Sequence, residues 1–154
     1  MIEILEHTGE AAFKVIAQTE EEIVKEACKG ILAIYFGEEY LREFEEEKKK
    51  NEQKPVYQKK EEISADGVDF ESALVNFLNE IIFRFDARKL VLKEVENIKI
   101  TKSDETEIKA TAIFEKFDPQ KHKPKIYVKA ATYGGLQLKK TPDGKLEIQI
   151  IVDI

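Results

Sequence analysis

Apolar residues recur every three or four positions early in the chain, and this spacing predicts a helix. From Ile23 to Tyr35 the apolar side chains fall on one helical face. Thr19, with Glu22 three residues later, forms a capping-box pattern, in which side chains bond the free backbone N–H groups at the start of a helix. Gly37 interrupts the pattern, so we expect the helix to lie between Thr19 and Gly37.

The second helical pattern is the strongest in the chain and predicts the central core helix. Asp69 stands at its start as an N-cap, and the apolar residues behind it follow the i, i+3, i+4, i+7 rule without a break. They are Leu74, Phe77, Leu78, Ile81, Ile82 and Phe85. Between the two helical patterns, Glu38 to Lys50 is charged almost throughout. This segment either extends the first helix or forms a short second one.

Alternating apolar and polar residues predict strands in much of the remaining chain. The candidates are Ala11 to Gln18, Val56 to Ala65, Val91 to Thr101, Thr106 to Phe114, Ile126 to Tyr133, Leu136 to Lys140 and Lys145 to Ile154. Gly134-Gly135 is expected to form a hairpin turn, because glycine enters positive φ freely. Helices early and hairpins late predict an α+β fold, with two main helices packed on one face of a mostly antiparallel sheet.

Composition narrows the class of protein. The length suits a single domain, and neither a repeat nor a linker divides residues 1–154. The net charge of −6 disfavours direct nucleic-acid binding, because phosphate recognition needs a basic face. Neither a signal peptide nor an apolar run of roughly 18 residues, the length of a membrane span, is expected. We therefore expect a cytoplasmic protein, and its abundant Lys and Glu with rare Cys and Met are typical of thermophiles.

The scarce cysteine and histidine residues argue against zinc binding and nucleophilic catalysis. Cys28 is the one cysteine and lies on the apolar face of the first helical pattern, so we expect it in the core. His7 and His122 are the only histidines, too few for a usual four-ligand zinc site without cysteines. We expect His7 to be a structural hydrogen-bonding residue. For His122, a partner contact and a brace of its own loop are equally open.

Two acidic residues lie beside apolar stretches at opposite ends of the chain. Glu10 precedes the first strand candidate, and Asp153 points away from the apolar face of the last one. If strand pairing brings the two ends together, Glu10 and Asp153 form an oxygen-rich cation site. Backbone carbonyls, water or the carboxylate of Ile154 would complete it. Solvated surface carboxylates and a general acid–base pair are the alternatives that the residues leave open.

Five segments, in order along the chain, resemble motifs of the archease family. They are Glu6 to Glu10, similar to its His-Thr-Ala-Asp motif; Leu74 to Asp86, similar to its central helix; Phe117 to His122, similar to its Asp-to-His loop; Val128 to Tyr133, similar to its Val-Lys-Ala-Val-Thr-Tyr strand; and the final Asp153-Ile154, similar to its closing Asp-Ile. The resemblance covers nearly the whole chain, and five matches in sequence are fairly specific.

The resemblance implies an accessory protein that is not itself an enzyme. Archeases help the GTP-dependent RNA-splicing ligase to form its guanylylated-histidine intermediate and to turn over repeatedly in tRNA splicing and RNA repair. The family's metal site uses the acidic residue of the first motif, the final Asp and the residue after it. Those positions fall on Glu10, Asp153 and Ile154, so the resemblance implies a divalent cation there, with Ca²⁺ suited to oxygen ligands.

Three positions depart from the family's motifs, and two other functions stay open. Glu10 replaces Asp, Gly9 replaces Ala, and Gly134 replaces the histidine that usually follows Thr-Tyr. Glu10 is still an oxygen ligand, although its extra methylene moves the carboxylate. The main alternative function is a general chaperone-like or adapter module with no ligase role. A hydrolase built on Glu10 and Asp153 is the weakest alternative.

Overall fold

Three helices and eight strands are found in the part of the chain that this computed structural model describes, residues 1–7, 9–49, 58–134 and 136–154. The helices are α1 (Glu20–Phe36), α2 (Glu38–Lys49) and α3 (Phe70–Arg88). The strands are β1 (Ile2–His7), β2 (Glu10–Ala17), β3 (Gln58–Gly67), β4 (Leu90–Lys102), β5 (Thr106–Lys116), β6 (Ala130–Ala131), β7 (Lys139–Lys140) and β8 (Leu146–Asp153). No helix among these is long and apolar enough to cross a membrane.

The strands form two antiparallel sheets, and the helices pack against them. In the first sheet the order is β1-β2-β8-β6, and β7 also pairs with β8. The second sheet has the order β3-β5-β4. Helix α1 packs on β2 and α3 on β3, and buried side chains from both helices and both sheets belong to one core. The predicted α+β class with antiparallel strands is confirmed, and its strands divide between two sheets.

Helix α1 begins and ends where its local sequence predicts. The Thr19 hydroxyl accepts a hydrogen bond from the Glu22 N–H at 3.1 Å, and the Glu22 carboxylate accepts one from the Gln18 N–H at 3.1 Å. The first bond satisfies a backbone donor that an α-helix leaves free at its start, and the second ties the preceding residue to the first turn. The helix ends at Gly37, whose φ is 92°. The charged segment that follows forms a separate helix, α2, and does not extend α1.

Close packing of α1 on β2 depends on a glycine. A Cβ atom at Gly30 would lie only 2.2 Å from Cε2 of Phe13, which is fully buried. Such a distance is far below van der Waals contact, so only glycine lets the helix approach the ring this closely. The approach fixes the position of β2, the strand that begins with Glu10.

Helix α3 is the predicted core helix, and charge links it to the second sheet. Its N-cap Asp69 accepts a hydrogen bond from the Ser72 N–H at 2.8 Å. Near its other end, Arg84 and Arg88 contact the Glu61 carboxylate of β3 at 2.9 Å and 2.6 Å. The hydrogen bond from Arg88 lowers the pKa of Glu61 to about 2. The ion pairs therefore hold α3 against β3 at neutral pH.

Strand prediction failed at β1 and in the late segments. β1 was not predicted, and within Ile126 to Tyr133 and Leu136 to Lys140 only β6 and β7 are strands. Both pair with β8, so the predicted hairpin at Gly134-Gly135 does not arrange them. The reason is that helices supply backbone partners here; for example, the Tyr35 hydroxyl of α1 donates to the Val128 carbonyl at 3.3 Å. Gly135 and the start of the candidate strand at Val56 lie outside the described residues.

Candidate functional site

Pairing of β2 with β8 places the two candidate carboxylates opposite each other. The pair is antiparallel, and Glu10 and Asp153 are Cα partners at its end. Their neighbours Ala11 and Val152 are also partners, and both are buried in the core. Because side chains alternate along a strand, Glu10 and Asp153 share the opposite face of the sheet, and both are exposed. The strand pairing that the sequence analysis set as the condition for a site is therefore present.

Ile154, the third predicted site residue, lies beside the same strand end. Its N–H donates to the carbonyl oxygen of Gly9, at 3.3 Å. Gly9 itself has a φ of 74°, a left-handed conformation that suits glycine better than the alanine of the family motif. The backbone of Ile154 is thus fixed next to Glu10, and all three predicted residues meet at one edge of the first sheet. Thr8 lies outside the described residues.

Strand β6 borders Asp153 on the side away from Glu10. Ala130 is the Cα partner of Asp153, and the Lys129 N–H donates to the Asp153 carbonyl at 2.8 Å. Asp153 therefore lies between β2 and β6. Its backbone is held from both sides, so the direction of its side chain depends on both neighbouring strands.

The chemistry of the site fits a hard cation. Like charges directly opposite each other on neighbouring strands destabilise a sheet, and neither Glu10 nor Asp153 forms a salt bridge within the described residues. Calcium takes oxygen ligands, which two carboxylates and a main-chain oxygen of Ile154 would supply. The described residues contain no group of three or more His, Cys, Asp or Glu side chains suited to a metal. Main-chain oxygens and water would thus complete the shell, and the ligand set stays a prediction.

His122 is a loop brace and is fully buried. Its Nε2 lies 2.7 Å from the Glu115 carboxylate, and its Nδ1 accepts a hydrogen bond from the Asp118 N–H at 2.9 Å. Since Nδ1 accepts, the proton of the neutral ring is on Nε2, which donates to Glu115. The rings of Phe36 and Phe117 pack around it, with their centroids 5.6 and 5.8 Å from the centroid of the imidazole. Of the two open readings for His122, the structure supports the brace; the side chain of His7 is not among those described.

Glu115 is a buried charged residue that the sequence reading missed. Its side chain is 1% exposed, and Lys121 and Lys93 contact the carboxylate at 3.1 and 3.3 Å. Burial raises its pKa, but the His122 hydrogen bond and the two lysine charges outweigh burial and lower the pKa to about 2. Alternation gives no signal for Glu115, because Phe114 before it is buried too.

Cys28 is a core residue, as predicted. It is buried in α1, and burial raises the pKa of its thiol to about 12. A thiol with so high a pKa forms almost no thiolate at neutral pH, and the thiolate is the nucleophilic form.

An exposed aromatic surface runs along α3. We call it the aromatic ridge; its members Phe83, Tyr127 and Tyr133 are 57, 56 and 57% exposed. The Tyr127 hydroxyl donates to Asp86 at 3.0 Å, and the Tyr133 hydroxyl donates to Asn76. These bonds fix both rings against α3. The two tyrosines flank β6 in the sequence, and β6 is the strand that pairs with β8 at Asp153.

Comparison with known proteins gives one consistent result. The sequence profile of the Archease protein family (MTH1598/TM1083) matches residues 2–154. Protein archease of Pyrococcus abyssi is 43% identical over 94 residues, which are 60% of this chain and 66% of that protein. Protein archease of Methanosarcina mazei is 30% identical over 153 residues, covering 99% of this chain and 94% of that protein.

Two solved structures have the same fold. The solution structure of Methanobacterium thermoautotrophicum protein 1598 aligns with a TM-score of 0.70 at 20% identity, covering 99% of this chain and 98% of that one. The crystal structure described as an archease, possible chaperone, from Thermotoga maritima aligns with a TM-score of 0.52 at 18% identity, covering 97% of this chain and 94% of that one.

Replacing Glu115 tests the buried brace through its pH dependence. Because the folded-state pKa of about 2 is below the ordinary 4.5, Glu115 stabilises the fold fully above pH 4.5 and loses this effect as the pH falls toward 2. Glu115→Gln should therefore lower the free energy of unfolding by about 3 kcal/mol at pH 7, and the difference from wild type should shrink below pH 4.5.

Urea unfolding at pH 7, 5, 4 and 3 measures this difference. Glu105→Gln, at an exposed turn, is the matched control and should change the free energy of unfolding by less than about 0.5 kcal/mol. A Glu115→Gln effect that stays constant or grows on acidification would contradict the assigned role.

Proposed function

Because the chain belongs to the archease protein family, we propose that it is a non-catalytic activator of a GTP-dependent RNA-splicing ligase in the cytoplasm. In this role it promotes guanylylation of the ligase and repeated turnover in tRNA splicing and RNA repair. One observation carries the proposal: the register of β2 and β8 sets Glu10 opposite Asp153, with Ile154 beside them. These are the three positions at which the family resemblance implies a metal.

The proposed cofactor is a divalent cation, with Ca²⁺ the best match to the donors present. Glu10 and Asp153 contribute carboxylates, and Ile154 contributes a main-chain oxygen. The cation supplies positive charge at an edge where two negative charges otherwise repel. Glu10 has one methylene more than an Asp, so its carboxylate lies further from the strand backbone. With two side-chain charges, affinity should be lower than in sites with three or four carboxylates.

The aromatic ridge is the surface proposed to contact the ligase. Exposed aromatic rings provide much of the binding energy at protein interfaces, and Phe83 lies on α3 between the two residues that bond Tyr133 and Tyr127. Hydrogen bonds hold the two tyrosines in place, which lowers the entropy lost on binding. The chain carries a net charge of −6, which favours a partner surface rich in Lys and Arg.

The same ridge keeps the second candidate function open. Exposed aromatic side chains bind unfolded chains as well as specific partners, and the Thermotoga maritima relative is described as a possible chaperone. A general chaperone-like or adapter module would use the ridge without needing the carboxylate pair. The two functions therefore differ in their dependence on Glu10 and Asp153.

Ligase stimulation tests the proposal directly. The assay contains a limiting amount of the cognate ligase together with GTP and RNA ends. In it, the wild-type chain should raise both the rate of ligase guanylylation and the number of RNA ends joined per ligase molecule. Glu10→Gln and Asp153→Asn should each reduce the stimulation about tenfold or more, because each removes a charged cation ligand. Glu147→Gln is the control, since it neutralises a carboxylate on the same face of β8 and should leave stimulation unchanged.

Absence of stimulation by the wild-type chain would contradict the activator function. Suppression of aggregation of unrelated proteins, without ligase stimulation, would favour the chaperone-like alternative. Equal stimulation by wild type and Asp153→Asn would separate the activity from the cation site.

A serine at Phe83 tests the docking surface. Because its ring is 57% exposed, Phe83→Ser should change stability little but raise the dissociation constant for the ligase about tenfold or more, as expected for an interface anchor. Val68→Ser is the matched control, because Val68 is 77% exposed and lies outside the ridge. Isothermal titration against purified ligase measures both. Equal affinities of the two variants and wild type would exclude the ridge as the docking surface.

A further inference from the structure

Asn79 makes a paired contact with strand β6 that neither the fold class nor the family resemblance assigns. Its side-chain oxygen accepts a hydrogen bond from the Ala131 N–H at 2.7 Å, and its side-chain nitrogen donates to the Ala131 carbonyl at 3.2 Å. One amide thus bonds both main-chain groups of a single residue. Asn79 is partly buried on α3, where these bonds are shielded from water.

The contact takes the place of a neighbouring strand. β6 has only two residues and forms the end of the β1-β2-β8-β6 order. On one side it pairs with β8, and the Thr132 N–H donates to the Ile151 carbonyl at 2.9 Å. On the other side Asn79 bonds the N–H and C=O of Ala131, as a further strand would. A two-residue strand makes too few bonds to hold its own position, so Asn79 supplies the missing half.

β6 in turn borders the proposed cation ligand. Ala130 is the Cα partner of Asp153, and the Lys129 N–H donates to the Asp153 carbonyl at 2.8 Å. We propose that Asn79 is a positioning residue for the cation site: by clamping Ala131 it holds β6 against β8 and so fixes Asp153 opposite Glu10. This inference rests on the proposed cation site at Glu10 and Asp153.

The choice of residue type follows from the geometry. Ala131 offers one donor and one acceptor toward α3, and only an amide side chain of this length presents the complementary acceptor and donor together. A leucine has the same branching and the same number of side-chain heavy atoms without either bond. Asn76 lies on the same helix face one turn earlier, donates to the Asp66 carbonyl at 2.7 Å and accepts from Tyr133. It bonds no residue of β6, so it is the matched control for the clamp.

Calcium titration of the full chain tests the proposal. By isothermal titration with Ca²⁺, Asn79→Leu should bind about tenfold more weakly than wild type, the lower end of the loss seen when an outer partner of a metal site is removed. Asn76→Leu should bind like wild type. Hydrogen exchange should speed up at the Ala131 amide in Asn79→Leu alone, which a general loss of stability would not reproduce. Asn79→Gln keeps both bonding groups and should give an intermediate affinity; it also serves if Asn79→Leu does not fold.

Each outcome decides the matter. Wild-type affinity in Asn79→Leu, together with lost binding in Asp153→Asn, would overturn the positioning role and leave the cation site intact. Equal losses in Asn79→Leu and Asn76→Leu would also overturn it, because the effect would then belong to the helix as a whole. Absence of calcium binding by the wild-type chain would overturn the cation site and the inference together.

Discussion

Antiparallel pairing of β2 with β8 is the constraint on which the rest of the structure depends. The register is fixed by burial, because Phe13 and Val15 of β2 and Ile148 and Ile150 of β8 fill the core from one face of the pair. A slip by one residue would turn this apolar face toward solvent and is therefore excluded energetically. The same register sets Glu10 opposite Asp153. The Cα pairing at the proposed site is thus a consequence of core packing.

Polar contacts hold the segment that leads to β6 at three places. His122 and Glu115 brace its start, the Lys125 N–H bonds α1, and Asn79 of α3 clamps its end. Buried hydrogen bonds of this kind contribute modestly when made but are costly to leave unmade, so the segment has one well-defined path. Both sides of Asp153 are therefore held, one by the apolar core through β2 and the other by polar contacts through β6.

The sequence predicted the features set by local chemistry and by period. Thr19 and Asp69 cap helices because their side chains bond nearby N–H groups, and alternation located β2 and β8, whose pairing it left as a condition. It failed where side chains from distant elements replace a strand, as at β6, whose outer partner is an asparagine. It also missed the buried Glu115, because a pair formed across a loop leaves no periodic trace. The identity of the cation and of the partner surface depends on such long-range contacts, which the pattern of apolar and polar residues does not specify.

Thermal unfolding under calcium titration tests most directly whether the β2–β8 register creates a cation site. A cation that binds only the folded state stabilises it by mass action, adding about 1.4 kcal/mol for each tenfold increase in free calcium above the dissociation constant. The account predicts that the melting temperature of the wild-type chain rises steadily with calcium and that the Glu10→Gln, Asp153→Asn double variant shows no rise. An equal rise in both proteins, or none in the wild type, would contradict it.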